Sequence, residues 1–77
     1  MGFNITILET IRFIDRRTTI HIGKDENGII YYGEENSRLQ WMISDRYMNS
    51  KSVIKNDKIR NIIIKYQREQ KINSLLK

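Results

Sequence analysis

Two short runs rich in β-branched and aromatic residues, Thr19-Ile20-His21-Ile22-Gly23 and Ile29-Ile30-Tyr31-Tyr32, stand on either side of Asp25-Glu26-Asn27-Gly28. No other feature constrains the fold as much. Ile, Thr and Tyr suit a pleated, half-buried surface. An Asn-Gly pair accepts positive φ at both central positions of a type I′ turn. The spacing predicts an antiparallel hairpin closed by Gly33. Tyr31 and Tyr32 should point to opposite faces, with one of them exposed beside the hairpin's edge. His21 alternates with Ile20 and Ile22 and should lie on the face opposite to them.

The segments around the hairpin are less definite. Residues 4–15 can be read with period two, Phe3, Ile5, Ile7, Ile11 and Phe13 on one face with Glu9 interrupting, or with period 3.6, Ile7, Leu8, Ile11 and Ile14 on a stripe. Thr6 and Glu9 have capping-box spacing, which favours a helix over about 7–15. Ser37 can cap a second short helix over residues 38–47, with Leu39, Met42 and Ile43 on its stripe. Val53-Ile54 is expected to begin a further strand after a loop at 49–52. Arg60 to Tyr66 is read as a strand because of its three consecutive isoleucines. The rival reading is one long helix from Asp57 to Leu76. On the strand reading, the tail from Gln67 is a short amphipathic helix, a disordered end or an oligomer contact through Ile72, Leu75 and Leu76. The expected fold is a small α+β domain spanning 1–77: one N-terminal helix, a three- to four-stranded mainly antiparallel sheet, and a short helix near 38–47.

Seventy-seven residues make at most one domain, with one thin core. The absence of cysteine removes disulfides, thiolate metal sites and a cysteine nucleophile. Small secreted domains usually need such staples, so the cytoplasm is the expected compartment. No run approaches the ~20 apolar residues of a membrane span, and no membrane partner is expected. Alanine and proline are also absent while Ile, Asn and Lys abound, a bias that points to an A+T-rich genome.

The order of these signals is similar to that in many small proteins of phages and prophages of low-GC bacteria. Thr19-Ile20-His21-Ile22, the polar turn with Asn27-Gly28, and Ile29-Ile30-Tyr31-Tyr32-Gly33 carry the resemblance, which covers about residues 6–66. This chain departs from the pattern at the turn and in its basic tail. The resemblance implies a leading helix, a hairpin, a helical link and a closing pair of strands. It carries over no catalytic or ligand-binding residue. Proteins of this sort whose roles are understood commonly bind and disable a host or defence protein.

Enzymatic signatures are missing. The single histidine, His21, has no nucleophile or orienting partner at a recognisable spacing. The glycines form no phosphate loop. Asp25, Glu26, Glu34 and Glu35 are read as solvated loop residues. No catalytic, metal-ligating or cofactor-binding residue is therefore expected. Charge is more telling. Residues 1–37 carry four basic and six acidic side chains (net −2), and residues 38–77 carry ten basic and three acidic (net +7), which together give the chain's +5. The second half interleaves cations with aromatics, and Arg38, Trp41, Arg46, Tyr47, Lys51, Lys55, Lys58 and Arg60 are the candidate binding residues. Trp, Tyr and Arg are enriched at protein interfaces, and a basic surface speeds encounter with an acidic partner. The expected function is a non-enzymatic, phage- or prophage-borne inhibitor or modulator, acting by stoichiometric contact with a host or defence protein. The alternatives are a DNA- or RNA-binding accessory protein and a homo-oligomeric assembly protein.

Overall fold

The computed structural model describes residues 4–14, 17–51 and 56–75. Four strands, β1 (Thr6–Phe13), β2 (Thr18–Lys24), β3 (Ile30–Glu35) and β4 (Leu39–Ile43), form one antiparallel sheet in sequence order. Two helices follow, α1 (Ser44–Asn49) and α2 (Asp57–Leu75), giving an α+β domain. Val53-Ile54 and Lys55 lie outside the described residues.

The β2–β3 hairpin forms where its sequence predicts, with Ile22 opposite Tyr32 and His21 opposite Gly33, but Gly33 does not end the second strand, which pairs on as far as Glu35. Its turn differs. Gly28 alone has positive φ, +82°. The Gly28 N–H bonds to the Asp25 carbonyl at 3.1 Å, and Asp25 and Ile29 close the loop. This is the hydrogen-bond pattern of a three-residue hairpin loop with one left-handed residue, not a two-residue type I′ turn. The Asp25 side chain shapes it: its Oδ1 accepts from the Asn27 and Ile29 N–H groups, each at 2.9 Å.

Of residues 7–15, expected as a helix, 7–13 are strand, and Asp15 lies outside the described residues. Thr6, Ile7, Thr10 and Ile11 are β-branched and lose rotamer freedom in a helix, and pairing with β2 satisfies their backbone. The interruption at Glu9 has a structural cause, because the register shifts between Ile7 and Glu9. This bulge changes the phase of alternation. Leu8, Ile11 and Phe13 pack on the core, and Ile7 is left exposed. Residues 38–47, also expected as a helix, divide into β4 and α1. Leu39-Gln40-Trp41-Met42-Ile43 pairs with β3, and only Ser44 onwards is helical.

The strand expected at Arg60–Tyr66 is helix, and the long-helix reading is the correct one. Asn56 caps it, its Oδ1 accepting from the Lys58 and Ile59 N–H groups at 2.9 and 3.3 Å. Ile59 and Ile63, four residues apart, are buried, with Ile62 and Tyr66 packed beside them. Nineteen residues without a turn signal exceed what one strand uses.

The core is one layer deep. Ile20, Ile22, Ile30 and Tyr32 on the sheet's inner face meet Tyr47 of α1 and Ile59 and Ile63 of α2. The Tyr32 and Tyr47 rings stack 4.2 Å apart, 16° from parallel. Gln67 ties α2 to the start of α1, donating to the buried Ser44 Oγ at 2.9 Å and to Asp45 Oδ1 at 3.0 Å.

Candidate functional site

Both helices pack on the inner face, so among the described residues only the lead-in Asn4-Ile5 reaches over the outer one. Strand alternation puts Thr10, Arg12, His21, Tyr31, Glu35, Leu39, Trp41 and Ile43 on that outer face. Two glycines make room there. A Cβ on Gly33 would come within 2.6 Å of the Trp41 ring, and one on Gly23 would meet Ile5 Cγ2 at 2.5 Å and the Thr6 carbonyl at 2.9 Å. Trp41 therefore lies down across bare backbone, half-buried, instead of standing up into solvent.

Beside the indole, His21 spans three strands. Its Nδ1 is 3.0 Å from Thr10 Oγ1 and its Nε2 is 2.9 Å from Glu35 Oε1. The imidazole is buried, 6.4 Å from Trp41 between ring centroids. The sequence places His21 on this face correctly, but its two partners are invisible there, because Thr10 and Glu35 are joined to it only by sheet register. A hydroxyl and a carboxylate on the two nitrogens of one imidazole are the components of a hydrolytic triad. Here they sit on the flat part of the sheet, and neither recess described below includes them. A positioned imidazole that holds three strands in register is the simpler account.

Tyr31 and Tyr32 do point to opposite faces, but both are buried. The Tyr31 hydroxyl donates to Asp25 Oδ2 at 3.2 Å. Burial first, then the hydrogen bond and negative charge of Asp25, push its pKa above the ordinary tyrosine value. The hairpin's own edge is not free for a partner strand either: β2 and β3 are the two central strands, and the edges of the sheet are β1 and β4.

Besides the exposed Thr10, Arg12 and Glu35, the outer face also exposes apolar side chains. Ile7, Leu39 and Ile43 are 48%, 39% and 45% accessible, too much for core; Leu39 and Ile43 flank Trp41 on β4, and Ile7 lies on β1 opposite Gly23. Arg12, exposed on β1, and Arg38, exposed just before β4, lie at the margins. The other candidate residues are dispersed. Tyr47 is buried in the core, where its hydroxyl accepts from the Asn56 N–H at 3.3 Å. Arg46 on α1, Lys51 after it, and Lys58 and Arg60 on α2 are exposed on the helical side of the molecule. Arg60 pairs with Asp57 at 3.5 Å. Further along α2, Lys65, Arg68 and Lys71 extend this basic helix surface. Ile72 is 55% exposed near its end, while the side chains of Leu75 and Leu76 lie outside the described residues.

Two shallow recesses are lined by described residues. One, of about 300 Å³, lies between the hairpin tip and α2, with Gly28, Ile43, Asp45 and Gln70 among its lining. The other, of about 250 Å³, is bordered by Arg12, Arg17 and Thr19 at the β1–β2 turn. Among the described residues no three His, Asp or Glu side chains gather where they could hold a metal ion. No described helix is long and apolar enough to cross a membrane.

Fold and surface together define a class: a small four-stranded antiparallel meander, covered on one face by helices and, among the described residues, crossed on the other only by Asn4-Ile5. Comparison with protein-family models, with curated proteins and with solved structures finds no match.

Proposed function

We propose that this protein is a non-enzymatic binding module that engages a protein partner in one-to-one contact through the outer face of its sheet. The observation that carries the reading is the row of Leu39, Trp41 and Ile43 on β4, with Ile7 on β1, left exposed or half-exposed among the described residues. Contiguous apolar surface on a small domain marks an interaction site, and a half-buried tryptophan held flat by its neighbours is a typical binding anchor. Arg12 and Arg38 at the margins favour a partner with acidic groups around an apolar patch. A phage- or prophage-borne modulator of a host or defence protein, acting in the bacterial cytoplasm, is the setting that the sequence resemblance favours.

The test is affinity capture by the tagged full chain from a low-GC bacterial lysate, run with and without nuclease. The expected result is one protein retained in near-equal amount after nuclease, and lost by tenfold or more for Trp41→Ala. Retention that survives Trp41→Ala but fails on charge reversal of Lys58 and Arg60 would sink the reading.

A specific observation supports nucleic-acid binding as the second reading. Lys58, Arg60, Lys65, Arg68 and Lys71 lie exposed along one helix, opposed by Asp57 and Glu69. That reading predicts recovery of nucleic acid alone, with affinity falling by about 0.7–0.9 log units per log unit of salt for each phosphate neutralised.

A further inference from the structure

The two edges of the sheet are guarded unequally. Edge strands expose a row of unpaired backbone groups and are normally blunted by charge, proline or a bulge. β1 has such protection: a bulge between Ile7 and Glu9, with Glu9 and Arg12 in the strand. β4 has none. Its sequence is Leu-Gln-Trp-Met-Ile, without charge or proline, and its register with β3 is unbroken.

The direction of its backbone groups follows from the hairpin. Hydrogen-bonded and non-bonded pairs alternate along an antiparallel ladder. Asp25 N–H to Ile29 C=O, 3.1 Å, closes the β2–β3 loop. Counted from there through the unbroken β2–β3 register, Tyr31, Gly33 and Glu35 bond to β2, and Tyr32 and Glu34 turn to β4. Their β4 partners are Met42 and Gln40. The backbone groups of Leu39 and Trp41 and the N–H of Ile43 therefore point away from the sheet, and among the described residues no turn or loop bonds to them, while the Ile43 carbonyl stands at the N-cap of α1.

We propose that β4 pairs with β4 of a second copy, antiparallel about a two-fold axis at Trp41, joining two sheets into one. This inference is independent of the partner proposed above. In that register Trp41 faces Trp41 of the second copy, each exchanging N–H···O bonds with the other. Leu39 faces Ile43 of the second copy, so each Ile43 N–H meets a Leu39 carbonyl; the Ile43 carbonyl itself opens α1. Charge is self-complementary in this arrangement. Arg38 stands opposite Ser44 of the second copy, one residue from its Asp45, and the pair recurs at both ends of the junction. Both side chains are exposed. The interface is isologous and closes on itself. It also joins the Leu39, Trp41 and Ile43 clusters of the two copies into one strip.

Sedimentation equilibrium on the full chain, from micromolar to millimolar concentration, tests this. The expected mass is twice the 9.3 kDa of one chain. Ile43→Pro is the sharpest variant. Ile43 already has φ −59°, which proline requires, and its N–H serves no bond within the sheet, so the variant should fold and be monomeric. Asp45→Arg should also be monomeric, because it sets two cations against each other. Arg38→Glu combined with Asp45→Arg should restore the dimer. Wild type that stays at 9.3 kDa throughout, or a folded Ile43→Pro that remains dimeric, overturns the proposal. If Ile43→Pro fails to fold, a dimer undiminished in Asp45→Arg overturns it instead.

Discussion

The inner and outer faces of the sheet are made by the same strands under the same alternation, yet they are held in different ways. On the inner face Ile20, Ile22, Ile30 and Tyr32 vanish beneath Tyr47, Ile59 and Ile63. Its cohesion is area removed from water, which is non-directional and tolerant of sequence. On the outer face the closest fits are specific: an indole laid over two glycines, and an imidazole clasped between a threonine and a glutamate. Such contacts fix shape but leave Ile7, Leu39 and Ile43 exposed. A domain this small has one core to spend on stability, so the surface it keeps rigid without covering is where recognition is best sought.

That contrast breaks most readily at its strongest point. Ile22 is fully buried at the centre of the inner face. Ile22→Ala should cost about 2–5 kcal/mol, as large-to-small core changes do, out of a total that for a chain this size is only about 4–12 kcal/mol. Trp41→Ala should cost clearly less, because the indole is half-exposed and leaves no closed cavity. Urea titration of both variants decides it. Equal losses would mean that the outer face is a second core, and the functional distinction would fall.

The parts of this fold legible in the sequence are those determined by neighbours along the chain. The hairpin, the opposed tyrosines and the side on which His21 lies all follow from alternation across a turn. The misread segments are those where two periods compete. In β1 the alternation fails at Glu9 because a bulge resets it, and a bulge leaves no mark in composition. In α2 the isoleucine triplet suggests a strand, while the capping Asn56 and the Ile59–Ile63 spacing determine a helix. At β4 the apolar residues fit either period, and pairing with β3 decides. The site suffers in the same way. Trp41 stands out as an aromatic, but what makes it a platform is Gly33 and Gly23, and only register brings those glycines beneath it. Tyr47, equally prominent in sequence, goes to the core.

A finer comparison lies between those two glycines. Gly33→Ala pushes only against the Trp41 ring, which can rotate away. The fold should survive within about 1 kcal/mol, since alanine also gains on glycine in backbone entropy, while tryptophan fluorescence shifts to the red as the indole is displaced. Gly23→Ala meets the Thr6 carbonyl, which belongs to β1 and cannot rotate away, so it should be the more destabilising of the two. If Gly33→Ala leaves the emission unchanged, the indole does not rest on that strand. Next in size is Asn56→Ala, which removes the cap of α2 and should cost about 1 kcal/mol. It should lower the melting temperature without altering Trp41 emission, because it acts on the inner layer alone.

The smallest effect concerns Tyr31, a polar group that the outer face buries. Its pKa is raised by burial and by Asp25, so the folded chain favours the neutral phenol. In the unfolded chain the group ionises at the ordinary value of about 10. Below that pH both states hold the proton, and the contribution to stability is fully present. As pH rises above it, the unfolded state loses its proton first, and stability falls until the folded-state pKa is passed. Melting temperature measured from pH 8 upwards should therefore bend downwards above the ordinary tyrosine value. Tyr31→Phe should flatten part of that bend while lowering the neutral plateau slightly, since Asp25 loses a donor. An unchanged alkaline slope in Tyr31→Phe would mean that the phenol is free to ionise in the fold, and that this end of the outer face is open to water.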